Sequence, residues 1–161
     1  MFAIKLVKEY VDRFPAAGVL VIVPTRVLLH QWQAEFAKYL NVGFENVALV
    51  GDGHDGNWAP DGGPGVVIAV VNSLALERVQ SRLDGHRPSK LLVVADECHR
   101  YRGEVFRTAL DYALPNDTVA RVGLSATPLG EREDVDVTEV DGNEVEAGIV
   151  RGRVGREFFS F

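Results

Sequence analysis

Hydrophobic positions along this chain follow two alternating patterns. Residues 2–14 place Phe2, Ile4, Leu6, Val7, Tyr10, Val11 and Phe14 among Lys5, Lys8, Glu9, Asp12 and Arg13, with apolar side chains returning at three- and four-residue steps. That period predicts an amphipathic helix, stopped by Pro15 and Gly18. Val19 to Val23 is instead an unbroken aliphatic run, the mark of a strand buried on both faces of a parallel sheet. The alternation continues: a helix over Arg26 to Leu40, a short strand over Val47 to Val50, and a loop over 51–65 rich in Gly, Asp and Pro. Then come a buried strand over Val66 to Val71, a helix over Ser73 to Leu83 and a turn over Asp84 to Pro88. A strand over Leu91 to Ala95, a helix over Glu104 to Ala113 and a strand over Ala120 to Leu124 complete the pattern. Strands alternating with helices predict an α/β domain on a mainly parallel sheet, with no internal repeat.

Beyond Leu124 the pattern weakens. Residues 129–146 turn acidic, with Glu131, Glu133, Asp134, Asp136, Glu139, Asp141, Glu144 and Glu146. Val135, Val137 and Val140 among them would form a surface strand. Gly148 to Phe161 mixes Arg151, Arg153 and Arg156 with Phe158, Phe159 and Phe161, and reads as a boundary towards something further.

The totals narrow the class. The chain has 161 residues, 47% hydrophobic and 25% charged, enough for one domain with its own core. The net charge of -6 argues against a strong, sequence-independent electrostatic clamp on nucleic acid, but not against local backbone contacts. Cys98 stands alone, so no intrachain disulfide forms, which fits a reducing cytoplasm. No apolar run approaches the roughly 20 residues of a membrane span. The first residues lack a cleavage pattern and read as a helix rather than a signal peptide.

Two strand ends carry candidate chemistry. Leu91-Leu92-Val93-Val94-Ala95 runs straight into Asp96-Glu97-Cys98-His99. In open α/β sheets ligands sit beyond the carboxyl ends of strands. A carboxylate there can hold Mg²⁺ through its water shell, and its neighbour can orient or deprotonate a water that attacks a phosphate. The plain alternative is a strand ending in a solvated acidic turn. The second is Val122-Gly123-Leu124-Ser125-Ala126-Thr127-Pro128, where small hydroxyl residues follow another strand; alone it reads as a polar turn.

Taken together these segments resemble superfamily 2 DEAD/DEAH-type helicases. Asp96-Glu97-Cys98-His99 looks like motif II and Ser125-Ala126-Thr127 like motif III. Val23-Pro24-Thr25-Arg26-Val27-Leu28-Leu29-His30-Gln31-Trp32 resembles motif Ia. Val70-Val71-Asn72-Ser73-Leu74 sits where the family has its next nucleic-acid-contacting element. The wording is most similar to the DNA repair helicase and type I/III restriction-subunit branch, and the match runs from about Val19 to Pro128.

The resemblance implies a RecA-like parallel sheet of the P-loop NTPase type, with ATP and Mg²⁺ as cofactors and DNA, or RNA, as partner. Residues 1–130 would form a partial ATP-binding lobe, and 131–161 an acidic segment bordering a second motor lobe. It implies that Asp96 binds Mg²⁺ and Glu97 activates water, while His99 couples the nucleotide site to the nucleic-acid path. Ser125, Ala126 and Thr127 would link hydrolysis to movement. Pro24, Thr25 and Arg26, with Asn72 and Ser73, would touch the sugar-phosphate backbone, which suits a motor indifferent to sequence.

One part of that machinery is not in the sequence. A P-loop needs Gly-x-x-x-x-Gly-Lys-Ser/Thr. Of the four lysines, Lys5, Lys8, Lys38 and Lys90, none follows Gly or precedes Ser or Thr. In the family the P-loop lies just upstream of a helix like residues 2–14, which here begins without a start signal, so the chain reads as cut at its N-terminus. The family's P-loop strand is interior, so its loss predicts an open gap in the sheet. Dimerisation, or completion by another polypeptide, would close it. The chain alone is expected to hydrolyse no ATP. Two other classes compete: a non-catalytic remnant serving as a nucleic-acid or protein binding module, and an unrelated α/β hydrolase using Asp96, Glu97 and His99, which no nucleophile accompanies.

The remaining features read as structure. Gly51-Asp52-Gly53-His54-Asp55-Gly56 lacks calcium-site spacing and reads as a loop. Trp32 lies on the apolar face of its helix and reads as core, and Trp58, in a loop, reads as cover for a core edge, with stacking on a base as the alternative. Arg100 and Arg102 would pair with acidic neighbours, the alternative being that they face the other motor lobe.

Overall fold

A computed structural model describes residues 2–39, 47–58, 65–98, 103–113, 119–125, 138–140, 143–146 and 149–150. Its first six strands are β1 (Gly18–Val23), β2 (Val47–Gly51), β3 (His54–Asp55), β4 (Val66–Val70), β5 (Leu91–Ala95) and β6 (Val119–Gly123). Its helices are α1 (Phe2–Arg13), α2 (Arg26–Tyr39), α3 (Val71–Leu74), α4 (Glu77–Asp84) and α5 (Glu104–Ala113). The six strands form one sheet in the order β3-β2-β4-β1-β5-β6. Every pairing is parallel except β2 with the two-residue β3.

The unbroken apolar runs have the cause inferred from sequence, since both sheet faces are covered. Alternate side chains of each strand go to opposite layers. Val19, Val21 and Val23 of β1 join Ile68 of β4 and Val94 of β5 under Ile4 and Val7 of α1 and Leu29, Trp32 and Phe36 of α2. Leu20 and Ile22 join Val67, Ala69, Leu91 and Val93 under Leu74, Val79, Leu83, Ala109 and Ala113 of α3, α4 and α5. Trp58 lies in that second layer and is fully part of the core rather than a lid on its edge.

Four details differ from the sequence expectation. The loop expected over 51–65 contains β3, held by the Gly51–His54 and Val50–Asp55 pairs. The helix expected over Ser73 to Leu83 is two helices, because Leu76 takes an extended conformation at φ −80 and ψ 124. Leu74 and Val79 are both buried but lie five positions apart. In one straight helix that spacing would set them roughly 140° apart, so the break at Leu76 lets both face the sheet. Beyond Ser125, Thr138–Val140, Asn143–Glu146 and Ile149–Val150 form β7, β8 and β9 of a small antiparallel sheet, where one surface strand was expected. Val140 lies on β7, while Val135 and Val137 lie outside the described residues. Finally, the described strands leave no interior gap between them. β5 has β1 on one side and β6 on the other, so a further strand could add only at the edges of the described sheet, beside β6 or β3.

The second helical layer is locked at the sheet's opposite end from the motifs. Arg87 donates to the carbonyls of Tyr112 and Ala113 at 3.0 and 3.1 Å, satisfying groups that the last turn of α5 would leave open. The Tyr112 hydroxyl lies 3.0 Å from an Asp84 carboxylate oxygen. Burial, then that hydrogen bond and the Asp84 charge, push the Tyr112 pKa up to about 12. The folded state therefore favours the neutral phenol. Its contribution is complete below the ordinary tyrosine value near 10 and is lost as pH rises from there through about 12. Tyr112→Phe is expected to cost about 1 kcal/mol at neutral pH. Urea titrations from pH 9 to 12 should show a shallower alkaline loss in the variant; equal slopes would refute the assignment.

Candidate functional site

The four segments singled out in the sequence follow neighbouring parallel strands. Pro24, Thr25 and Arg26 follow β1, Asn72 and Ser73 lie in α3 directly after β4, Asp96 and Glu97 follow β5, and Ser125 follows β6. With the order β4-β1-β5-β6, all of them emerge at one edge of the sheet. His99, Ala126 and Thr127, with Arg100 and Arg102, lie outside the described residues.

The acidic turn is fastened to both neighbours of its strand. The Asp96 N–H donates to the Ile22 carbonyl of β1 at 2.9 Å. Cys98 N–H donates to the Leu124 carbonyl at 2.9 Å, and Leu124 N–H to the Ala95 carbonyl at 2.8 Å. The turn bearing Asp96 and Glu97 is thus stitched to the residue before Ser125. Glu97 adopts φ +52, the left-handed region that a long side chain enters only when its surroundings impose it. Gly123 answers a packing need here. A Cβ at that position would stand 3.1 Å from the Cys98 sulfur, so glycine lets the two strand ends close on each other.

Asp96 is half-buried and both its oxygens are engaged. Oδ1 accepts the Glu97 N–H at 3.0 Å, and Oδ2 accepts the indole N–H of Trp32 at 2.6 Å. Trp32 was expected to be core, and it is; its hydrogen bond to Asp96 was not foreseen. Beside the carboxylate opens a cleft of roughly 240 Å³. Its walls are Ala3 and Ile4 from the first turn of α1, Gln31, Trp32 and Glu35 from α2, and Leu124 after β6.

On the β1 side, Arg26 is largely exposed at the start of α2. Its guanidinium stands 3.6 Å from the Asp52 carboxylate, and the His30 ring, one turn on, lies 2.9 Å from the other Asp52 oxygen. The bond to His30 leads the effects that hold the Asp52 carboxyl below its ordinary pKa; Arg26 adds to it. Asp52 sits at φ +53 between Gly51 and Gly53 in the β2–β3 turn. Gly51 passes so near α3 that a Cβ would meet the Ser73 hydroxyl at 2.9 Å. The turn thereby joins the neighbourhoods of Arg26 and Ser73. Nothing local connects Asp52 with His30, which are 22 positions apart.

The family model described as "Type III restriction enzyme, res subunit" matches residues 1–130. The chain belongs to this family. The superfamily 2 helicase resemblance read from the sequence therefore holds, as does the RecA-like α/β fold. A protein of Haloarcula marismortui that bears the name DNA 3'-5' helicase Rad25 is 28% identical over 115 residues, covering 71% of this chain and 17% of that protein. The crystal structure of the Pyrococcus furiosus Hef helicase domain superposes with a TM-score of 0.57 at 24% identity, over 80% of this chain and 28% of that one. The res-family chain thus spans less than a third of the length of either. No described helix is long and apolar enough to cross a membrane.

Proposed function

We propose that residues 1–130 form part of the ATP-binding lobe of a DNA helicase or translocase, with 131–161 leading towards a second motor lobe. The observation that carries the reading is the Asp96-Glu97 turn hydrogen-bonded to Leu124 at the mouth of a cleft shared with α1 and α2. Family membership and the DNA helicase named among the relatives support it.

The donor set suits magnesium. Among the described residues no three His, Cys, Asp or Glu side chains cluster as ligands, so a divalent ion here would rest on Asp96, water and phosphate oxygens. Magnesium favours that sparse, hydrated coordination. When bound it would neutralise charge on the transferred phosphoryl group. Glu97, next to Asp96 on the same turn, orients and deprotonates the attacking water. Ser125, with Ala126 and Thr127, passes the state of that turn to the rest of the motor, and His99 relays it towards the nucleic acid.

Arg26, with Pro24 and Thr25, and Asn72 with Ser73, hold phosphates of one strand along the same edge. Asp52 offsets part of the Arg26 charge until a phosphate replaces it. The donors that surround the nucleotide phosphates have to come from outside these 161 residues, since no Gly-Lys-Ser/Thr is present. A strand carrying them, or a second copy of this chain, would pair at the outer edge of β6.

The test is a chimera in which residues 1–130 replace their counterpart in the Haloarcula Rad25 protein, with circular dichroism to establish folding. DNA-stimulated phosphate release, reduced by Arg26→Ala, is expected. A folded chimera that hydrolyses ATP only at background would overturn the proposal and favour a binding module without catalysis.

A further inference from the structure

We propose that Trp32 is a positioning residue for the Asp96 carboxylate, fixing the direction in which it presents its free lone pairs to a divalent cation. The inference rests on the reading of Asp96 as the magnesium-holding group.

The indole has two jobs at one place. Trp32 is 8% exposed, and its ring lies tilted at 44° against that of Phe36 with centroids 5.5 Å apart, inside the layer beneath α1 and α2. A buried indole needs a partner for its single N–H. Here the N–H leaves the apolar layer and meets Asp96 Oδ2 at 2.6 Å, short even for a bond to a charged acceptor. The opposite oxygen is held by the Glu97 N–H at 3.0 Å. The carboxylate is therefore gripped on one oxygen by its own turn and on the other by a helix from another part of the chain. Each oxygen keeps lone pairs for the cleft, and rotation about the side-chain bonds would break one grip or the other.

The grip is firm because Trp32, although it lines the cleft on one side, is packed on the other against Phe36 and the sheet, and packed cores resist such shifts. A carboxylate fixed in this way meets a cation without first losing rotational freedom. Hydrogen-bond partners of metal-holding groups typically carry about ten- to hundredfold in metal affinity. Trp58 supplies a built-in reference. It is equally buried, but in the opposite layer, and its indole nitrogen has no hydrogen-bond partner among the described residues.

The experiment uses the 161-residue chain, labelled with nitrogen-15, and follows the two indole N–H resonances and the Glu97 amide. Asp96→Asn should move the Trp32 indole signal and leave that of Trp58 in place. Titration with Mg²⁺ alone should shift Trp32 and Glu97 in the wild type, and Trp32→Phe should weaken the binding read at Glu97 by about tenfold. Wild-type Mg²⁺ binding that is unchanged in a folded Trp32→Phe variant would overturn the positioning role alone. A Trp32 signal indifferent to Asp96→Asn would overturn it too, and that readout stands even where Trp32→Phe does not fold. A wild-type chain in which Mg²⁺ moves neither signal, while Asp96→Asn moves Trp32, would overturn the metal reading on which the role depends.

Discussion

Replacing Glu97 by glutamine in the Rad25 chimera is expected to lower DNA-stimulated ATP turnover by about 10²–10⁴-fold, the range carried by a positioned general base. Glutamine keeps the length and shape of the side chain but cannot take a proton. The half-buried turn would remain, because its bonds run through the backbone of Asp96, Cys98 and Leu124 and through the Asp96 side chain. The loss should therefore fall on the chemical step, with nucleotide affinity and thermal stability close to the parent. Phosphate release under saturating ATP and a melting curve separate these quantities. Turnover equal to the parent chimera would remove Glu97 from the proposed chemistry. Turnover lost together with folding would place it in the structure instead.

Val21→Asp is expected to prevent folding of the chain. Val21 is fully buried at the middle of β1, paired with Ile68 on one side and Val94 on the other. Its side chain enters the layer filled by Trp32, Phe36 and Val7. Leaving a charge buried without a partner costs about 3–5 kcal/mol. A domain has only about 5–15 kcal/mol in total, and the valine's own packing is lost as well. Far-ultraviolet circular dichroism and urea titration report the result directly. An exposed control, Val27→Asp, should leave both measurements nearly unchanged, since Val27 is 71% exposed. A folded Val21→Asp chain with the parent's urea midpoint would contradict the two-layer core.

Much of this architecture was legible because it depends on local pattern. The runs Val19 to Val23 and Leu91 to Ala95 could satisfy their apolar side chains only between two covering layers, and that is where they lie. The helix Glu104–Ala113 was bounded correctly by its periodicity. Less legible were features set by tertiary contact. Nothing local marks Leu76 as a break, because the break serves the joint burial of Leu74 and Val79. The strand His54–Asp55 is two residues in a polar turn and owes its form to pairing with Val50 and Gly51. The order of strands also escaped the pattern, and with it the absence of an interior gap between the described strands.

The candidate site divides in the same way. Asp96, Glu97 and Ser125 were singled out from strand ends and resemblance. The partners that aim them were not, because Trp32 and Asp96 are 64 positions apart and Trp32 carries every sign of an ordinary core residue. The available hint was its place beside Gln31 in the Arg26 segment. An indole there has an N–H that the apolar layer cannot satisfy.

The place of β1 also has a consequence for biogenesis. Its two neighbours in the sheet begin at Val66 and Leu91, so the central ladder is built from contacts far apart in sequence. Such pairing closes slowly, because a long loop must be ordered before any contact stabilises it. During synthesis, the aliphatic run at Val19 to Val23 leaves the ribosome well before either flanking strand exists. Until then it is an unpaired, aggregation-prone strand whose nearest shield is the amphipathic α1. A chaperone that binds short apolar stretches should engage nascent chains ending before Ala95 and release them once β5 is available.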